Sequence, residues 1–397
     1  MTDISERIKA LAPSATLAMS QKSQELKAQG IDVINLSVGE PDFPTPTHIK
    51  AAAIEAIADN YSFYTPVPGY MTLRKAISNK LREENGVDYA PEQIVVGNGA
   101  KQELCNVILA TINPGDEVII PTPAWVSYVE MVKLAEGKSV LVPATIESNF
   151  KITPAQLEAA ITPRTRMVLL CSPSNPTGSV YSREELHALV NVLAKYPDIL
   201  ILSDEIYEHI NYTGSFTSMA SFPEIKERVV LINGVSKAYA MTGWRIGFCA
   251  APTAIAKAVT KLQGQYTSGC CSIAQKAAEA AYEGSQECVE QMRQAFERRR
   301  DLIVRLAGMI PGLKVNKPDG AFYLFPEVTS FIGKSDGTVT IHSSGDLAMY
   351  LLDKARVATV DGAAFCLDGY IRLSYATSDD NIREAMRRIA AALACLH

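Results

Sequence analysis

Between about residues 90 and 251 the chain repeats one unit, a short run of apolar, mostly β-branched residues followed by a longer segment of helical character. The runs are QIVVG (93–97), EVIIP (117–121), SVLVP (139–143), RMVLLC (166–171), ILILS (199–203), RVVLIN (228–233) and RIGFCAA (245–251). Helical patterns intervene at 101–112, 182–195 and 252–265. A continuously apolar strand has to bury both faces, and neighbouring parallel strands need a crossover that a helix supplies. The repeat therefore predicts an α/β fold, a large domain with a mainly parallel seven-stranded sheet between helices. After about residue 290 the pattern changes to a charged amphipathic helix (291–309), a helix near 345–356, two short strands and a last helix from 379. That is the pattern of a smaller α+β domain. The expected division is 45–290 for the large domain and 1–44 plus 291–397 for the small one, with 331–340 as a flexible loop.

Composition narrows the functions open to such a chain. Its 397 residues suffice for two or three domains of ~100–200 residues each. A formal net charge of −5 argues against a large nucleic-acid footprint, which needs basic stripes along phosphates. No apolar run reaches the ~18 residues of a membrane span, and charges interrupt the N-terminal turns where a signal peptide would be apolar. A cytoplasmic protein without membrane or nucleic-acid partners is expected. The eight scattered cysteines read as reduced thiols, and without a C-x-x-C or H-E-x-x-H pattern no metal site is expected.

In open α/β sheets ligands bind beyond the carboxyl ends of the strands, and the unusual polar clusters here each follow a strand. VVGNGAKQEL places Gly97 and Gly99 in a strand-to-helix turn suited to phosphate. Trp125 falls in the next strand-end loop, where it could cover a planar ligand. CSPSNPTGSV puts Asn175 in a loop stiffened by prolines, and SDEIYE puts Asp204 at the end of an apolar strand. NGVSKAYAMTGWRIG sets Lys237 among small residues, with Ser236 before it and Arg245 eight positions on. An acid at a strand end also suits an ATPase. Both Gly-Lys-Ser triplets (137–139 and 333–335), however, lack the glycine five places earlier that a phosphate-cradling loop requires. No G-x-S-x-G elbow is present, and no G-x-G-x-x-G opens a helix.

A phosphate turn, an aromatic cover, a neutral amide, a buried acid and a lysine together suit pyridoxal 5'-phosphate. Its aldehyde forms a Schiff base with a lysine, and its ring draws electrons only while an acid keeps the pyridine nitrogen protonated. SNPTG, SDEIYE and SKAYAMTGWRIG, in this order and with Asp204 and Lys237 33 positions apart, resemble the class I aminotransferases of the aspartate aminotransferase family, fold-type I enzymes of that cofactor. The similarity runs from PSAT near residue 13 to IRLSYATS near 378.

The resemblance implies a role for each residue. Lys237 bonds the cofactor and carries the proton at the substrate's Cα. Asp204 pairs with the pyridine nitrogen, Tyr207 and Asn175 reach the phenolic oxygen, and Trp125 stacks on the ring. Gly99, Ala100 and Lys101 offer backbone N–H groups to the phosphate, with the side chains of Ser236 and Arg245. Tyr64 reaches the phosphate of a neighbouring subunit, which implies a homodimer. Arg372 grips the α-carboxylate, for which a guanidinium fork is well shaped, and Gly39 belongs to a loop closing over the substrate. Lys101, Ser14 and Thr16 match side chains that hold a second carboxylate in bacterial aspartate enzymes. Relatives that also use prephenate carry a lysine just before Pro-Ser-Ala-Thr, where this chain has Ala12. The expected reaction is L-aspartate plus 2-oxoglutarate to oxaloacetate plus L-glutamate. The alternatives are an aromatic, prephenate or alanine preference, or a β-lyase of the same fold. A DNA-binding regulator with such a domain would need a basic module ahead of Pro13, and a degenerate scaffold would not keep every functional residue type.

Overall fold

The computed structural model describes residues 3–397. Seven strands build the central sheet: β2 (Ile94–Gly97), β3 (Glu117–Thr122), β4 (Lys138–Pro143), β5 (Thr165–Cys171), β6 (Leu200–Asp204), β7 (Val229–Gly234) and β8 (Gly247–Ala250). Each falls within a residue or two of an apolar run. Their order across the sheet is β2-β8-β7-β6-β5-β3-β4, and β8 alone runs opposite to the other six. Successive side chains of a strand point to opposite faces, which splits the core in two. Met167, Leu169, Val230 and Ile232 pack on one face with Leu104 and Ile108 of the helix Ala100–Thr111. Val168, Leu170, Val229 and Leu231 pack on the other with Leu186 and Leu189 of Arg183–Leu193 and Leu81 of Met71–Asn85. Both faces are thus covered, as continuously apolar strands require.

The N-terminal segment joins the C-terminal part through backbone pairing. Strand β1 (Ile34–Asn35) lies parallel to β10 (Val357–Ala358). Strands β11 (Val360–Asp361), β12 (Ile371–Ser374) and β9 (Tyr323–Leu324) form an antiparallel ribbon beside it. The amphipathic helix starts at Glu287, a turn earlier than its apolar pattern predicts, and runs to Gly308. Glu287 and Glu290 in that first turn favour the positive helix end. The helix predicted near 345–356 is α-helical over Ser344–Tyr350 and widens to a π turn over Leu351–Ala355. The 331–340 segment, expected as a flexible loop, is a bonded turn. The Asp336 carboxylate accepts from the Thr338 hydroxyl at 2.6 Å and the Thr338 and Val339 N–H groups at 2.8 Å, and pairs with Lys354. All eight cysteines are free thiols.

Candidate active site

A cleft of about 340 Å³ opens at the carboxyl ends of the parallel strands. Ser14, Thr16, Gly39, Ala100, Lys101, Trp125, Asn175, Asp204, Tyr207, Ser236, Lys237, Arg245 and Arg372 all line it. These side chains come from positions spread over more than three hundred residues and meet because five strands end at one edge. Lys237 and Arg245 share the short connection between β7 and β8, whose antiparallel pairing returns the chain to the edge it left.

Asp204 closes β6 and is 4 % exposed. Tyr128 donates a hydrogen bond to its Oδ2 at 2.6 Å, and the Ile206 N–H reaches Oδ1 at 3.2 Å. Burial raises the carboxyl from its ordinary 3.8 to about 6 despite those donors. The same desolvation, aided by the Arg372 and Arg245 charges and opposed by Glu40, lowers the Lys237 amine from 10.5 to about 8. Lys237 Nζ meanwhile donates to the Gly39 carbonyl at 2.6 Å.

Arg372 is 2 % exposed, with its guanidinium between the Tyr323 and Phe365 rings at 4.5 and 4.9 Å. One amino group donates to Asn175 Oδ1 at 2.9 Å and the other to the Ser37 carbonyl at 2.6 Å, while Nε has no partner among the described residues. A buried guanidinium bonded only to neutral oxygens is costly, so the site is built for an anion that arrives from solution. With Oδ1 engaged, the Asn175 amide nitrogen is the end left for a ligand. Lys101 sits with Nζ over the Trp125 ring at 5.0 Å, and Ser14 and Thr16 share a hydroxyl contact of 3.0 Å at the rim.

Gly99 caps the helix Ala100–Thr111 at φ +85°, a conformation natural to glycine, and a Cβ there would strike the Arg245 guanidinium. The first N–H groups of a helix have no intrahelical partner, so Ala100 and Lys101 present theirs beside Arg245, itself in the left-handed region at φ +58°. Among the described residues Arg245 bonds only the Thr242 and Asn98 carbonyls. Helix end and guanidinium together make an anion pocket.

Gly99 thus stands just behind the lining, and Tyr64 is the predicted residue that the cleft of its own chain does not include, being 99 % exposed. Eight lining residues carry no role in the sequence analysis, and Tyr128, Cys171 and Tyr323 are among them. Tyr128 follows Trp125 by three positions, about one helical turn, a spacing that could have flagged it. Gly247 was also missed. It lets β8 pass against the Gly99–Ala100 backbone, which any Cβ would strike. Away from the cleft, Glu84, Glu208 and His209 bring ligand atoms within 4.8 Å of one another, with the Lys80 ammonium already paired to Glu208.

A doubly covered sheet whose strand ends gather a lysine amine, a buried carboxyl and two arginines has the architecture of an α/β enzyme. The chain belongs to the aminotransferase class I and II family, which it matches over residues 31–389. It is 50 % identical over 394 residues to the aspartate/prephenate aminotransferase of Nitrosomonas europaea, covering 98 % of this chain and 99 % of that protein. It is 48 % identical over 396 residues to the bifunctional aspartate aminotransferase and glutamate/aspartate-prephenate aminotransferase of Petunia hybrida, covering 98 % and 82 %. Among solved structures, the aspartate aminotransferase of Rhizobium meliloti superposes with a TM-score of 0.96 at 44 % identity over the whole of both chains. The Thermus thermophilus aspartate aminotransferase with maleate does so at 0.93 and 41 %, covering 99 % of this chain and all of that one.

Proposed function

We propose that the protein is a pyridoxal 5'-phosphate-dependent aminotransferase that moves the amino group of L-aspartate to 2-oxoglutarate. The observation that carries this reading is the presence of two buried ionisable groups in one cleft, a carboxyl and a guanidinium. Asp204 is a carboxyl held at about 6, which a cationic ring N–H would keep ionised. Arg372 is a guanidinium without an anion, which a substrate carboxylate would complete. When bound, the cofactor supplies an aldehyde that takes up the amino group and a ring that withdraws electrons from the substrate's Cα.

The chain's own residues do the rest. Lys237, with its amine near 8, is neutral often enough near physiological pH to act as nucleophile and then to carry the proton at Cα. Asp204, oriented by Tyr128, holds the ring nitrogen's proton. Trp125 covers the ring, and Asn175 and Tyr207 give hydrogen bonds to its phenolic oxygen. The turn Gly99-Ala100-Lys101, Ser236 and Arg245 bind the phosphate. Arg372 orients the substrate by its α-carboxylate, Lys101, Ser14 and Thr16 take the distal carboxylate, and Gly39 closes over it. Maleate, seen with the Thermus relative, is a dicarboxylate, which supports a two-carboxylate substrate.

Fully exposed Tyr64 is read as a contribution to the phosphate site of a second copy in a homodimer. The division 45–290 against 1–44 plus 291–397 draws support from the β1–β10 pairing. Eight free thiols suit a reducing cytoplasm. A second reading, use of prephenate as the acceptor, is favoured by the names of the Nitrosomonas and Petunia relatives and opposed by Ala12.

Absorbance of the purified protein tests the reading. A visible band that fades on adding L-aspartate alone and returns with 2-oxoglutarate is expected. A band indifferent to aspartate would move the substrate elsewhere, and no band even after adding the cofactor would remove Lys237 from its role. Return of the band with prephenate in place of 2-oxoglutarate would establish the second reading.

A further inference from the structure

Tyr323 touches more of the cleft than any role assigned above accounts for. It lies on β9, paired with Ser374 two residues beyond Arg372, so its side chain enters the site from the C-terminal ribbon. Its ring is the platform under the Arg372 guanidinium at 4.5 Å. Its hydroxyl meets the hydroxyl of Tyr207, which follows β6 of the central sheet, at 2.7 Å. The same hydroxyl lies so close to Gly39 that a Cβ at position 39 would collide with it. One buried side chain thus contacts the expected carboxylate ligand, the expected ligand of the cofactor's phenolic oxygen and the loop whose carbonyl holds Lys237.

Hydrogen-bond direction between the two phenols follows from charge. Both are buried and protonated, but the Arg372 cation counteracts burial more strongly at Tyr323 than at Tyr207. Tyr323 is therefore the more acidic phenol and the better donor. If Tyr323 donates, the Tyr207 proton is free to point into the cleft; without Tyr323, Tyr207 has no fixed rotamer for it.

We infer that Tyr323 is a positioning residue that links substrate binding to the cofactor site, its ring holding Arg372 flat for the α-carboxylate and its hydroxyl aiming the Tyr207 proton at the cofactor's phenolic oxygen. This rests on the cofactor and substrate reading above. The link joins the ribbon to the sheet, so carboxylate capture at Arg372 and the hydrogen bond at Tyr207 move together.

Two variants separate the ring from the hydroxyl. In the cofactor-loaded protein, Tyr323→Phe keeps the platform. KM for L-aspartate and the affinity for maleate, followed by the visible band, should stay within about twofold, while kcat falls about three- to tenfold, the worth of one hydrogen bond. The band maximum should also shift, because the phenolic oxygen loses a fixed donor. Tyr323→Leu removes the platform as well, and maleate affinity should fall at least about fivefold as the cation–π contact is lost. A Phe variant with wild-type kcat and an unshifted band, or a Leu variant that binds maleate as tightly as wild type, would overturn the inference. Wild-type protein run alongside distinguishes the deeper failure: if its own band is missing or ignores aspartate, the cofactor and substrate reading falls instead.

Discussion

Replacing Asp204 by Asn should make the cofactor-free protein more stable and the enzyme nearly inactive. In the unfolded chain this carboxyl titrates near 3.8, and in the folded chain near 6. Between those values the folded state binds the extra proton, so the stability that Asp204 contributes is complete below pH 3.8 and is lost as the pH rises to 6. The loss corresponds to about 3 kcal/mol. Asn cannot ionise and keeps the polar contacts: its oxygen can accept from the Ile206 N–H, and its amide can donate to the Tyr128 hydroxyl. At about 2.1 cal/mol/K per residue, the unfolding entropy of a chain this long is roughly 0.8 kcal/mol/K, so the variant should melt about 4 °C higher than wild type at pH 7.5. The two should converge below pH 4. Thermal melts of both cofactor-free proteins across pH 4–8 measure the difference directly. A difference independent of pH, or a variant less stable at pH 7.5, would refute the argument that burial of a bare carboxylate is the cause. Transamination should drop on the order of 100-fold or more, the loss seen when one preorganised electrostatic partner is removed.

Lys101→Ala should raise KM for L-aspartate much more than for L-alanine in steady-state assays, because only aspartate offers a distal carboxylate. Equal effects would remove Lys101 from that contact. Arg372→Lys exchanges a flat fork for a point charge and leaves Asn175 Oδ1 short of a donor, so KM should rise about 30- to 100-fold for both amino acids, a cost of about 2–3 kcal/mol. Gly99→Ala combines backbone strain at φ +85° with a collision at Arg245, and the cofactor's dissociation constant should rise at least about tenfold in equilibrium titrations.

The alternation of apolar runs and helical segments was enough to locate all seven central strands, because burial on both faces leaves its mark in every residue of a strand. That Lys237, Asp204, Asn175 and Arg245 line one cleft was legible for a related reason: each stands at or next to the end of an apolar strand, where ligands bind in open α/β sheets. Helix boundaries were less exact, as at Glu287, since end effects depend on single charges and not on periodicity.

What needed the tertiary structure is contact between residues far apart in the chain. No local pattern says that β8 runs against its neighbours, although that reversal is what brings Arg245 back to Lys237. Nor does one say that Tyr128 donates to Asp204, 76 positions on, or that Tyr323 bridges Tyr207 and Arg372. Tyrosines in apolar surroundings look like core in any sequence; their hydroxyls acquire meaning only from the partner that folding sets opposite them. The ionisation of the site has the same origin. Asp204 near 6 and Lys237 near 8 differ from ordinary side chains because the folded protein removes water from them, and desolvation is a property of the enclosed volume, which a sequence does not contain.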